Sequence, residues 1–97
     1  MLAALPGAAQ PVSLTPGEMR GAAAASLATA QPAQALELAD ALLQRDPEDI
    51  EALVLRSRAL RDLGRYDAAV AAGREAWGLA ETDEARHAAA LVIAQGL

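Results

Sequence analysis

One stretch constrains this 97-residue chain more than any other: Ile50 to Asp83, IEALVLRSRALRDLGRYDAAVAAGREAWGLAETD. Its first half places Leu53, Leu60 and Leu63 at spacings of seven and three, with Ala52 and Ala59 beside them. That spacing marks one face of a helix with 3.6 residues per turn. Arg56, Arg58, Arg61 and Asp62 mostly take the other faces. Gly64 ends the run, because glycine adopts positive φ without the steric cost of a Cβ. The second half carries Tyr66, Ala69, Val70, Gly73, Ala76, Trp77 and Ala80 at three- and four-residue steps. Small residues at Ala69, Gly73 and Ala76 leave a flat strip that another helix can approach closely. The stretch therefore reads as two antiparallel helices joined at Leu63-Gly64-Arg65.

Composition supports an all-α chain. Alanine, the strongest helix former, is abundant, and β-branched residues are few and scattered. Aromatic residues make up 2% of the chain, so its core must be aliphatic, with alanine allowing close helix contact. The length suits a single domain. A net charge of −5 argues against non-specific binding to nucleic acid or to an anionic membrane, since both need a basic surface. There is no cysteine, which excludes disulfides, thiolate chemistry and Cys-based metal sites.

The remaining segments are punctuated by helix signals. Residues 1–14, MLAALPGAAQPVSL, hold two prolines and no helical period beyond the first turn. Two readings stand: a disordered leader, or the remnant of a secretory signal. In the second, Gly7 and Ala9 before Gln10 form a small-residue cleavage end, although no basic region precedes it and the apolar run is short. The compartment, exported to a periplasm or cytoplasmic, stays open. No segment approaches the ~20 consecutive apolar residues needed to span a membrane.

Thr15-Pro16-Gly17-Glu18 is a helix start, with Thr15 as cap, Pro16 at the first position and Glu18 completing a capping box. A first helix runs to about Thr29, and Gln31-Pro32 interrupts it. A second runs from Pro32 to about Arg45, with Leu36, Leu38, Ala39, Leu42 and Leu43 on its apolar face. Asp46-Pro47-Glu48-Asp49 reads as the next start, with Asp46 as cap and Pro47 at the first helical position. A fifth helix is expected from about Asp83 to Gln95, capped by Thr82.

The layout resembles the tetratricopeptide repeat, whose period is about 34 residues. With Ile50 at repeat position 1, Ser57 falls on the family's small position 8, Leu60 on 11, Gly64 on 15 and Tyr66 on 17. Ala69 and Ala76 fall on positions 20 and 27. Leu53 stands where the family favours Trp, Arg56 where it favours Leu, and Glu81 where it favours Pro. Counting back gives an earlier copy, residues 16–49, with Ala23, Ala35, Leu42 and Pro47 at positions 8, 20, 27 and 32. Its turn is degenerate, with Ala30 and Pro32 replacing the glycine and the aromatic. The resemblance implies a right-handed α-solenoid of about five helices over residues 15–97. Repeats would span 16–49 and 50–83, with a partial third repeat or capping helix at 84–97.

The same resemblance implies where a partner would bind. Family ligands usually lie in the concave groove lined by the first helix of each repeat. Its positions fall here on Glu51, Val54, Arg58, Arg61 and Asp62, and in the earlier copy on Gly17, Arg20, Ala24, Leu27 and Ala28. The clamp of Lys and Asn used by members that bind chaperone tails has no counterpart, because the chain contains neither residue. Arg56, Arg58, Arg61 and Arg65 read first as a solvated face beside Glu51, Asp62 and Asp67. Their alternative role is to anchor a carboxylate, which arginine grips with two parallel hydrogen bonds.

Chemistry finds little to work with. His87 is the single histidine, and no nucleophile is placed near it. Ser26 and Ser57 sit where a repeat wants small packing residues. The acidic clusters at Asp46/Glu48/Asp49 and Glu81/Asp83/Glu84 lack the spacing and central glycine of a calcium loop. No glycine-rich phosphate loop follows a strand. These features predict a non-enzymatic protein or peptide binder without cofactor or metal. Leu91, Val92 and Ile93 are consecutive and so point to more than one side of the last helix, which needs covering. That predicts self-association, as a two-fold homodimer, or docking of further helices or another domain through this helix. If the leader is an export signal, the chain resembles the periplasmic repeat segments that precede larger domains in bacterial envelope proteins, which implies a structural or assembly role.

Overall fold

The computed structural model describes residues 14–97, and these form helices and turns only. The leader or signal remnant expected at residues 1–14 lies, but for Leu14, outside the described residues. Five helices follow one another: α1 (Pro16–Ala28), α2 (Pro32–Arg45), α3 (Ile50–Asp62), α4 (Tyr66–Leu79) and α5 (Asp83–Gly96). None among the described residues is long and apolar enough to cross a membrane. Each helix packs on its neighbour in sequence, and α3 also touches α1 and α5. The chain is therefore a row of antiparallel helix pairs, with α1, α3 and α5 side by side.

The internal period is visible in the backbone. Both ends of α1 and α2 recur one period later in α3 and α4: Pro16 with Ile50, Ala28 with Asp62, Pro32 with Tyr66, Arg45 with Leu79. Burial recurs with it. Ala23 and Ser57 are sealed in the core, as are Ala35 and Ala69, and Leu42 and Ala76. The core is lined by alanine, which brings helix axes together. Larger side chains such as Leu42, Leu53 and Leu60 fill the remaining space, each contributing about 1.5–3 kcal/mol through apolar burial.

Local signals fix most helix ends. Thr15 and Glu18 close a reciprocal capping box, with Glu18 N–H donating to Thr15 Oγ1 at 3.1 Å and Thr15 N–H to Glu18 Oε1 at 2.9 Å. The hydrogen bond from the Thr15 backbone holds the Glu18 carboxyl below its ordinary value. Thr82 Oγ1 accepts from Ala85 N–H at 3.0 Å and starts α5. Gly64 takes φ 82° just past the end of α3.

One expected cap moves. Asp46 does not start α3. It ends α2, and with Pro47, Glu48 and Asp49 it forms a turn closed by Asp49 N–H donating to Asp46 O at 3.1 Å. Proline suits the second position of such a turn as well as the first position of a helix, so its presence alone does not decide between them. Asp49 is the cap, accepting from Ala52 N–H at 3.1 Å.

Candidate functional site

The row α1, α3, α5 leaves a groove of about 490 Å³ along one side of the molecule. Its floor comes from α3, with Ile50, Val54 and Leu55. Arg20 and Ala24 of α1 form one wall, and Glu84, Ala85 and Ala88 of α5 form the other. Glu51 and Arg58 stand on the α3 side of the opening. Four residues expected at a binding groove, Arg20, Glu51, Val54 and Arg58, are thus brought together on two helices.

Within the groove the two arginines differ. Arg20 Nη2 donates to Asp49 Oδ2 at 2.8 Å, and its Nε lies 3.6 Å from Glu51 Oε1. The hydrogen bond to Asp49 raises the Arg20 pKa further, which fixes a permanent positive charge at the α1 wall. Asp49 is buried and also caps α3, so one carboxylate ties the start of α3 to the middle of α1. The Arg20 Nε is buried and makes no hydrogen bond among the described residues. Arg58 is exposed and has no ion-pair partner among the described residues. It is the groove cation open to an incoming carboxylate.

Other expected contacts lie elsewhere. Leu27 does not face the groove. It is buried in the cluster formed with Ala23, Ala35, Ala39, Leu55 and Ala59, because α1 and α3 approach closely there. Arg61 bends toward its neighbours: Nη2 bonds Asp62 Oδ1 at 2.9 Å, and Nη1 bonds Gln95 Oε1 at 2.7 Å. It latches α3 to α5, with Asp62 as its counter-ion. Arg56 pairs with Asp40 on α2. Arg56, Arg58 and Arg61 of α3 therefore do not form one patch; their helical spacing sends them in different directions.

Leu91, Val92 and Ile93 also separate. Val92 is buried and Ile93 is partly covered, both against α4 at Gly73, while Leu91 is 50% exposed. Trp77 at 48% and Tyr66 at 54% are exposed despite their places on the apolar period of α4. Trp77 lines a shallow depression with Arg74, Ala90, Ile93, Ala94 and Leu97. Sequence periodicity alone does not find this surface, because its residues come from two helices.

The hydroxyls of the core are occupied by backbone. Ser57 Oγ donates to Ala69 O at 2.7 Å, and Ser26 Oγ donates to Ala22 O at 2.9 Å. His87 is exposed on α5. Comparison with family models, with curated proteins and with solved structures finds no match for this chain.

Proposed function

We propose that the chain is a non-enzymatic protein-interaction module, built from helical repeats of the tetratricopeptide kind, that takes a peptide or helix into the α1–α3–α5 groove. One observation carries this reading. Val54 shares the groove with Arg58, which is exposed and without an ion-pair partner among the described residues, while the other groove arginine is already neutralised by Asp49. An apolar side chain fits over Val54, Leu55 and Ala88, and a carboxylate fits Arg58. The recurrence of helix ends after one period supports the repeat assignment.

A random peptide library panned against the chain tests it. Selected peptides are expected to carry an acidic residue near an apolar one. They are expected to lose binding to the double variant Val54→Asp, Arg58→Glu, whose helical circular dichroism stays unchanged. Peptides that bind that variant as tightly as the original would place the binding surface elsewhere.

A further inference from the structure

The α1–α3–α5 groove has two unlike ends. Arg61 Nη1 meets Gln95 Oε1 at 2.7 Å, and Leu53 shares a cluster with Ala89. α3 and α5 therefore run parallel and in register, which sets Glu84 beside the start of α3 and Arg58 about two turns further on. α1 keeps the same register, because Arg20 reaches Asp49 and Glu51. At the near end one guanidinium thus serves two carboxylates. Glu84 adds a third, exposed and without an ion-pair partner among the described residues. The N-termini of α3 and α5 carry about half a positive charge each, which offsets only part of this excess. At the far end the groove offers Arg58, exposed and likewise unpaired. Between the two ends Val54, Ala24, Ala85 and Ala88 make the lining apolar.

The groove is also as wide as a helix. α3 touches both α1 and α5, but α1 and α5 do not touch each other. Packed helix axes lie about 8–10 Å apart, so the two walls stand up to roughly 20 Å apart across α3. A helix is about 10–12 Å across, and the alanines of the walls let its backbone come close.

Resting on the groove reading above, we infer that the occupant is an amphipathic helix of a partner protein that runs antiparallel to α3. It carries an acidic residue over Arg58 and, two turns later, a basic residue over Glu51 and Glu84. The spacing follows from α3 itself, where seven residues, about 10 Å of helix, separate Glu51 from Arg58. The direction follows from the dipoles. An acidic residue early in a helix and a basic one late both complement that helix's own dipole. The antiparallel course also sets the partner's dipole against those of α1, α3 and α5. A helix with the two charges in the reverse order meets the groove either like charge on like charge or with its dipole parallel to all three.

Helical peptides with a randomised apolar stripe, and with Glu or Lys at each of two positions seven apart, are panned against the chain. Enrichment of Glu at the first position and Lys at the second is expected. Exchanging the two charges of a selected peptide should weaken its binding by about tenfold in fluorescence anisotropy. Against Glu84→Arg the second position should change its preference from Lys to Glu. Against Arg58→Glu the first should change from Glu to Lys. Circular dichroism of each variant confirms that the helices remain. Enrichment of the reverse order, or preferences that both variants leave unmoved, overturns the inference. Selected peptides that bind equally in either order, yet lose binding to Val54→Asp, overturn the charge order and leave the groove reading standing. Peptides that bind Val54→Asp as tightly as the original overturn both.

Discussion

Ala30 and Gly64 occupy equivalent places in successive repeats and hold the same left-handed backbone, φ 58° at Ala30 and φ 82° at Gly64. Each closes its helix with the same long bond. Gln31 N–H reaches Ser26 O at 2.7 Å, and Arg65 N–H reaches Leu60 O at 2.8 Å. The turn geometry is thus repeated even though the glycine is not, and alanine bears the steric cost of the left-handed region.

That cost predicts opposite effects at the two positions. Ala30→Gly is expected to stabilise the chain by about 0.5–1 kcal/mol, the steric relief exceeding the added freedom of the unfolded chain. Gly64→Ala is expected to destabilise it by about the same amount. Urea denaturation of the two variants beside the original measures both. Equal signs would show that the turns are not equivalent.

The contact of α4 with α5 depends on the missing side chain of Gly73. A Cβ there would lie 2.8 Å from Ile93 Cγ1 and 3.2 Å from Val92 Cγ2. Gly73→Ala should therefore destabilise the fold by about 1–3 kcal/mol, although alanine is the better helix former. Gly21→Ala is the control. It lies within α1 with nothing within 4 Å of its added methyl, so it should stabilise by about 0.5–1 kcal/mol. Thermal unfolding of the pair separates packing from helix propensity.

Asp49 has two duties, and two substitutions separate them. Asp49→Ala removes both the cap of α3 and the counter-ion of Arg20, and should cost about 2 kcal/mol. Asp49→Asn keeps a capping oxygen but loses the charge. Arg20 retains about a third of its exposure and so retains solvent, which limits that loss to less than about 1 kcal/mol. Chemical denaturation in low and high salt gives the check: the Asn variant should differ from the original mainly at low salt.

Much of the architecture was legible from short-range chemistry. Thr15, Glu18, Pro32, Gly64 and Thr82 act within one turn of themselves, so the residues that mark the helix ends also make them. The start of α3 was harder to read. Asp46 and Asp49 are both competent caps, and only the turn closed between them decides which one serves. The resemblance to the repeat family, and not the helical period, pointed to Arg20, Glu51, Val54 and Arg58, and these four line the groove.

By itself the sequence determined the number of helices, most of their ends and their periodic recurrence, because backbone sterics, caps and apolar spacing are properties of neighbouring residues. Only the tertiary structure decided which side chains were left free. Leu27 went into the core because α1 meets α3 there, Arg61 turned to Gln95, and Val92 was buried against Gly73. Arg58, Leu91 and Trp77 remained outside. A side chain's freedom depends on what the rest of the chain brings to it, and the spacing within a single helix does not carry that information.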